Sequence, residues 1–475
     1  MFSKPIQRCG FVALLICALN AVANAQSFRV QCPATTRLHP DGSGIKCQQV
    51  SGGDGFATMG DGTQTYLFGF GPLSGLADIK NGLPGTETNK IFNLGSADPY
   101  GNGSVGLLNP LTGDVRAADI MNTGVLNANF PAPLIAIDED DELFLTLTNV
   151  GMIMRPDLFE QHTVHFHGYP NASSYFDGVP DASVAINIGG SFTYYYTAPD
   201  AGTYFWHCHI TPPEHLQMGM VGQLYVRPRQ NRLQNDPAYA RQSLASILAA
   251  QNSKTPGNLD GQHCSDILCT GQTPVPVNAS EVRGSMYAYN DGDGSTRYDS
   301  EYPIQMMGFD PYFHYVGTTF NPESFAGMKD KYFMLSGRSY PDTVNPDPIS
   351  TEGSDGQSRP SQPLPTLITI NKSAGQTRAL LRLSDLSVTE FTTLATVGIP
   401  MRVVGLDARL LRDMAGNDMT YLTNSVTIGG GESADVILDA TDVPAGTYFL
   451  YSTNLDHLSN FNENFGGMMT EIVVK

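Results

Sequence analysis

The sequence is poor in charge: 15% of its 475 residues are Asp, Glu, Lys or Arg. Positive charge is scarcest, with 27 Lys and Arg against 46 Asp and Glu, for a formal net charge of -19. That balance argues against a nucleic-acid binder, which needs a basic footprint to displace counterions. Tryptophan occurs once, yet 23 Phe and 21 Tyr argue against wholesale disorder. No apolar run is long enough to span a bilayer as a helix. Long helical patterns are also scarce, while 49 Gly and 31 Pro punctuate the chain, favouring a turn-rich β protein. The length suggests two or three domains.

Residues 1–25 read as a signal peptide. Lys4 and Arg8 form a basic start, an apolar run follows from Phe11 to Leu19, and Ala23-Asn24-Ala25 offers small residues for cleavage. A buried core helix needs no such order. An exported, acidic, soluble protein follows, periplasmic or secreted, beginning near Gln26. Cysteine is sparse: of seven, Cys9 and Cys17 leave with the signal. Cys32 with Cys47, and Cys264 with Cys269, are expected as disulfides in an oxidising compartment, although spacing does not fix connectivity. Cys208 is left over. An inert buried thiol is the bland account.

Residues 26–62 read as an irregular, disulfide-tied extension. Strand signals recur from residue 63: Thr65 to Phe68, Asp141 to Thr148, the aromatic and threonine-rich Ser191 to Thr197, Gly202 to Ile210, and Gly222 to Val226. Short strands between turns predict a sandwich or barrel over residues 63–230. Residues 231–280 read as a linker with one short helix begun by Asp236 and Pro237, and 281–475 as a second domain. The Pro/Ser/Gly-rich stretch 345–365 reads as a mobile surface loop. The acidic run Asp138 to Glu142 reads as a solvated turn before a strand, with a docking patch for a cationic partner as the rival.

An internal repeat links the two domains. Ala201-Gly202-Thr203-Tyr204-Phe205 recurs as Ala445-Gly446-Thr447-Tyr448-Phe449, and Gly219-Met220 as Gly467-Met468. Upstream, His162 to Gly168 aligns with Ile399 to Gly405, so the second copy carries Ile399, Arg402 and Val404 where the first has histidine. Tyr451-Ser452-Thr453 stands in place of His207-Cys208-His209.

Six of the ten histidines cluster between residues 162 and 215. In His162-x-x-His165-x-His167, strand alternation puts His165 and His167 on one face and His162 on the other. In His207-Cys208-His209, the imidazoles share a face and the thiol takes the reverse. The ligands therefore sort into two metal sites back to back. Cys208, His162 and His215, with Met220 as a weak axial donor, suit a blue type 1 copper. His165, His167, His207 and His209 suit one or more coppers that bind oxygen, so His207, Cys208 and His209 carry the catalytic link between electron entry and oxygen. Tetrahedral zinc explains neither Met220 nor the second histidine set. Met218 is an alternative axial donor, and Trp206 is packing beside the site. Glu214, beside His215, reads as an exposed loop carboxylate, with a hydrogen bond to a phenolic donor as the rival. His39, His263, His314 and His457 are isolated. Met306-Met307 and Met468-Met469 read as core packing rather than copper(I) capture.

These residues resemble the multicopper oxidase family, built of cupredoxin domains. Phe130 to Ile135 with Asp138 to Leu143 resembles the start of such a domain, and Ser336-Gly337-Arg338-Ser339-Tyr340-Pro341-Asp342 the start of the next. The resemblance covers most of 120–230 and, more weakly, 310–475. It implies an all-β fold of two cupredoxin-like β-sandwich or barrel domains after an N-terminal extension. It also implies a type 1 copper at positions such as His162 and Cys208. The four histidines at 165, 167, 207 and 209 would supply half of a trinuclear copper cluster of type 2/3, which reduces dioxygen to water.

Two departures stand out. Six residues separate Cys208 from His215, more than is common in laccases. More seriously, the family's cluster takes four histidines from each of two domains, and the second domain here has none at matching positions. A head-to-tail trimer cannot supply them either. Two first domains facing each other, a different partner subunit, or a second site with fewer coppers each resolve this. The leading expectation is a copper oxidoreductase fed by a phenol, a metal ion or a small redox protein. A blue-copper electron carrier or copper-binding protein without turnover is the alternative. A copper nitrite reductase fits less well, since it carries aspartate at the position of His165 and a second-domain histidine where Thr453 lies.

Overall fold

The computed structural model describes residues 28–168, 173–198, 200–231, 285–291, 293–317, 324–413 and 417–475. The signal peptide, the Asp236 helix, most of the linker and the Cys264–Cys269 pair lie outside them. The described chain is strand-rich with a few short helices, as the turn-rich composition predicts.

Two sheets face each other in the first half. One runs in the order Gln64–Pro72, Ile45–Thr58, Glu142–Gly151, Ser191–Thr197, and the other Ile135–Asp138, Val221–Arg227, Gly202–His207, His165–Phe166. Between them lies an apolar core that includes Phe70, Leu145, Tyr194, Trp206 and Leu224, with Cys208, Met218 and Met220 inside it. The second half repeats the plan. One sheet contains Ser300–Phe309, Arg378–Asp385, Ser433–Asp439 and Met401–Leu406. The other contains Ile368–Ile370, Met469–Val474, Gly446–Ser452, Thr392–Thr396 and Ser425–Ile428.

Three expectations need correction. The extension expected over 26–62 contains the strand Ile45–Thr58, which pairs with Glu142–Gly151 and Gln64–Pro72 and belongs to the first sheet. Its glycines hide it from propensity. A Cβ at Gly52, Gly53 or Gly55 would lie 2.7, 2.7 and 2.8 Å from His162, Val150 and Ala128 atoms, so close packing requires glycine there. The Cys32–Cys47 disulfide forms and anchors the start of this strand. The stretch 345–365 is not a free loop: Ile349–Glu352 and Ser358–Gln362 pair as a hairpin. The side chains of Thr351 and Gln362 bond Thr58 of the first half. The acidic run is not a solvated turn either. Glu139 is fully buried and accepts from Arg229 N at 2.6 Å and Asn290 Nδ2 at 2.7 Å, and Asp140 pairs with Arg229.

The two halves share one interface core of Phe130, Phe205, Val221, Met307, Phe309 and Met334. Polar bonds fix their registration. Gln223 Nε2 donates to Arg382 O (2.9 Å) and Ser384 Oγ (2.7 Å), and Thr203 Oγ1 donates to Asp435 Oδ1 (2.7 Å). Arg382, wholly buried, lies between Glu301 and Asp435. Thus the strand Gly202–His207, which leads into Cys208, has the second half packed against its outer face.

Candidate metal centre

Cys208 follows the last residue of the Gly202–His207 strand and is a free, fully buried cysteine. Its Sγ, one nitrogen of His162 and one of His215 lie within 4.8 Å of one another. His162 is held by a backbone bridge to Ile186. His215 sits on the short helix Pro212–Met218, which folds back so that Met220 N donates to His215 O (2.8 Å) and Cys208 N donates to Met220 O (3.1 Å). Thr163 N donates to Sγ at 3.4 Å, and His215 Nδ1 lies 3.3 Å from it. Met220 and His162 both pack over Gly52, where a Cβ would meet His162 Cδ2 at 2.7 Å and Met220 Cε at 3.4 Å. Met218 is equally buried.

The electrostatics favour a thiolate. Burial pushes the Cys208 thiol up, but the His215 and His162 imidazoles beside it outweigh burial and hold it well below the usual thiol range. Burial pushes His215 down, while the Cys208 thiolate and Glu160 together raise it to about 10. Burial lowers His162. Neither ring nitrogen of His162 has a hydrogen-bond partner although the ring is wholly buried. An unpartnered buried imidazole beside a thiolate is costly unless a cation takes its lone pair, so the donor set fits copper.

The reverse face carries the second group. Ligand nitrogens of His165, His167 and His207 lie within 4.8 Å of one another. His165 and His207 are paired across adjacent strands. Each ring is held from behind by a main-chain oxygen: His165 Nδ1 by Asp177 O (2.6 Å), His167 Nδ1 by Gly431 O (3.2 Å) and His207 Nδ1 by Cys208 O (2.6 Å). A carbonyl only accepts, so each Nδ1 carries the hydrogen and each Nε2 keeps its lone pair. His167 Nε2 and His207 Nε2 stand 3.1 Å apart. Burial lowers His167 and pushes His207 down to about 3, so both rings are neutral donors. His209 flanks the group, with ring centroids 5.1 Å from His165 and 5.4 Å from His207, but is not one of the three converging residues.

Sequence reasoning missed Glu160. Its Oε2 lies 3.4 Å from His215 Nε2, and the His215 contact holds its carboxyl below the usual glutamate range against the opposing effect of burial. Glu214, read as an exposed loop carboxylate, is instead half-buried on the helix Pro212–Met218. No local pattern marks Glu160, because a loop far from His215 delivers it.

The strand registers also correct the repeat. Gly202–His207 pairs with Val221–Arg227 as Gly446–Ser452 pairs with Met469–Val474, which confirms the matches of Ala201 to Phe205 and of Met220. Upstream, His207 faces His165 where Tyr451 faces Ala395. The counterparts of His162, His165 and His167 are therefore Thr392, Ala395 and Val397. Ile399 to Gly405 does not align there; Met401–Leu406 runs in the other sheet. Nor is His457 isolated. It occupies the place of His215, with Nδ1 3.1 Å from Ser452 Oγ and Nε2 2.8 Å from Glu390 Oε2. The second half thus keeps the carboxylate–imidazole frame with a hydroxyl in place of the thiol. His314 is structural, bridging the carbonyls of Tyr66 and Gln217. His39 bonds Asp140 O, and His263 lies outside the described residues.

Residues 114–231 match the family model described as multicopper oxidase. The chain is 34% identical over 186 residues to laccase abr2 of Aspergillus fumigatus, covering 35% of this chain and 29% of that protein. It is 34% identical over 108 residues to multicopper oxidase MCE of Talaromyces pinophilus, covering 22% of this chain and 16% of that one. The match therefore spans less than a third of these relatives' length. In fold it is similar to the blue copper oxidase from Nitrosomonas europaea (TM-score 0.52, 19% identity, 90% of this chain and 85% of that one). A similar likeness holds to the multicopper oxidase mgLAC (TM-score 0.52, 17% identity, 90% and 86%). Residues 114–231 thus match the multicopper oxidase model, and the chain has the cupredoxin-like fold seen in solved multicopper oxidases.

Proposed function

We propose that the protein is an exported copper-dependent oxidoreductase of multicopper oxidase type, which takes single electrons from a donor at His215 and couples them to dioxygen reduction. Copper bound at the two groups would supply the one-electron chemistry. His162, Cys208 and His215, together with Met220, would hold the type 1 ion. His165, His167 and His207, with His209 beside them, would hold copper of type 2/3 character. Cys208 presents its sulfur to one group while its backbone joins His207 and His209 of the other, so the shortest covalent route between the groups runs through this residue. Glu160 sets a carboxylate oxygen 3.4 Å from His215 Nε2 and suits a donor that gives up a proton with its electron, such as a phenol. Metal ions and a small redox protein are the other donor classes.

The observation that carries this reading is one unpaired, buried thiol between two imidazoles with three lone-pair-bearing imidazoles directly behind it. Cys208→Ser is expected to abolish both the intense visible absorption of copper-loaded protein and oxygen uptake with phenolic donors. Retention of both defeats the assignment. The second reading, an electron carrier without turnover, draws on Thr392, Ala395, Val397, Tyr451 and Thr453, which leave the second half without cluster histidines. It predicts the blue colour with no oxygen uptake. A second copy or a different subunit that brings four histidines to the open group would restore the family's arrangement.

A further inference from the structure

We propose that His165, His167 and His207 form a complete one-metal, three-imidazole copper site within a single chain, with His209 outside its coordination sphere. This rests on the reading that the second group binds copper, and it replaces half of a trinuclear cluster by a mononuclear centre.

The spacing is the first argument. Two imidazole nitrogens on one ion, each about 2.0–2.1 Å from it, stand about 2.8–3.4 Å apart for square to tetrahedral angles. His167 Nε2 and His207 Nε2 are 3.1 Å apart. Both atoms carry lone pairs, because both Nδ1 atoms are committed to carbonyls. Facing lone pairs at this distance repel unless one cation lies between them. The third nitrogen, from His165, lies within 4.8 Å of both. Among the described residues no carbonyl is hydrogen-bonded to the His209 ring, which is stacked against His207 at 5.4 Å, so none of them fixes its lone pair on the same point.

The second argument is what flanks the group. The second half of the same chain holds His167 through the Gly431 carbonyl. That turn is itself anchored, with Gly429 N donating to Glu432 Oε2 (2.7 Å) and Gly431 N donating to Asp385 O (2.8 Å). The second half of this chain is therefore already packed against one flank of His167. Clefts of about 410 and 320 Å³ border His167 and Gly431, reaching Glu390 in one and Asp407 and Glu432 in the other.

The test loads the purified full-length chain with copper and measures metal per chain, spin per copper by quantitative electron paramagnetic resonance, and oligomeric mass. The wild type is expected to hold two coppers per chain, each counted as one independent spin. His167→Ala is expected to lose one copper and keep the blue colour, and His209→Ala to keep both. More than two coppers per chain, a spin count below the copper count, or loss of copper in His209→Ala overturns the one-metal site while leaving copper at these histidines intact. A single copper that His167→Ala does not remove overturns the inference and the copper reading of this group together.

Discussion

Gly431→Ala separates the role of the second half in shaping the metal group from its role in stability. Gly431 has φ +88°, and a Cβ there would lie 2.6 Å from His167 Cε1 and 2.7 Å from Nδ1. The left-handed backbone alone costs a non-glycine residue about 1–2 kcal/mol. The collision adds a second effect, since the ring must move off the Gly431 carbonyl that fixes its tautomer. Losing such an outer partner lowers metal affinity about 10–100-fold. Gly375→Ala is the matched control: its φ is +79°, and nothing lies within 4 Å of the added methyl. Both variants are expected to lose similar stability in urea titrations. Only Gly431→Ala should release copper from the histidine group to a competing chelator, with the Cys208-dependent colour unchanged. Equal copper affinity in the two variants refutes the positioning role of Gly431.

Three further outcomes follow from the geometry. Arg382→Ala leaves Asp435 buried without its cation and Glu301 with Arg227 alone, and should cost about 3–5 kcal/mol in chemical unfolding. Burial raises Asp330 from 3.8 to about 6, against the bonds it accepts from Thr389 and Gln217. The folded chain therefore binds this proton more tightly than the unfolded one, and its contribution makes stability rise as pH falls from above 6 towards 4, by roughly 3 kcal/mol at most. Asp330→Asn should stabilise at neutral pH, gain nothing near pH 4, and flatten the profile; an unchanged slope counts against it. Glu160→Gln should raise KM for phenolic donors more than for an outer-sphere metal complex that has no proton to give, and equal changes would reduce Glu160 to a support for His215. That bland role has real weight, because Glu390 and His457 keep the same contact beside a serine.

The ligand groups were legible because their signals are local. Strand alternation alone separates Cys208 from His207 and His209, and the structure keeps that separation. Ser191 to Thr197 was legible end to end, since aromatic and β-branched residues crowd one short run. The strand Ile45–Thr58 was not, because its Ser-Gly-Gly-Asp-Gly stretch has a loop's composition for a packing reason. His162 and Met220 need the space above Gly52. The upstream half of the repeat was misaligned because Thr392 to Gly398 shares only Thr393 and the final glycine with His162 to Gly168, and pairing rather than sequence identity fixes the match. Glu160 and Gly431 reach the metal groups through tertiary packing, which leaves no spacing to read.

The most direct test of the account is an anomalous-scattering map at the copper absorption edge from crystals of the copper-loaded chain. It predicts one peak bounded by Cys208 Sγ, His162 and His215, and a separate peak among the Nε2 atoms of His165, His167 and His207. A map with no peak at Cys208, or a structure with that sulfur bonded to another cysteine, contradicts it.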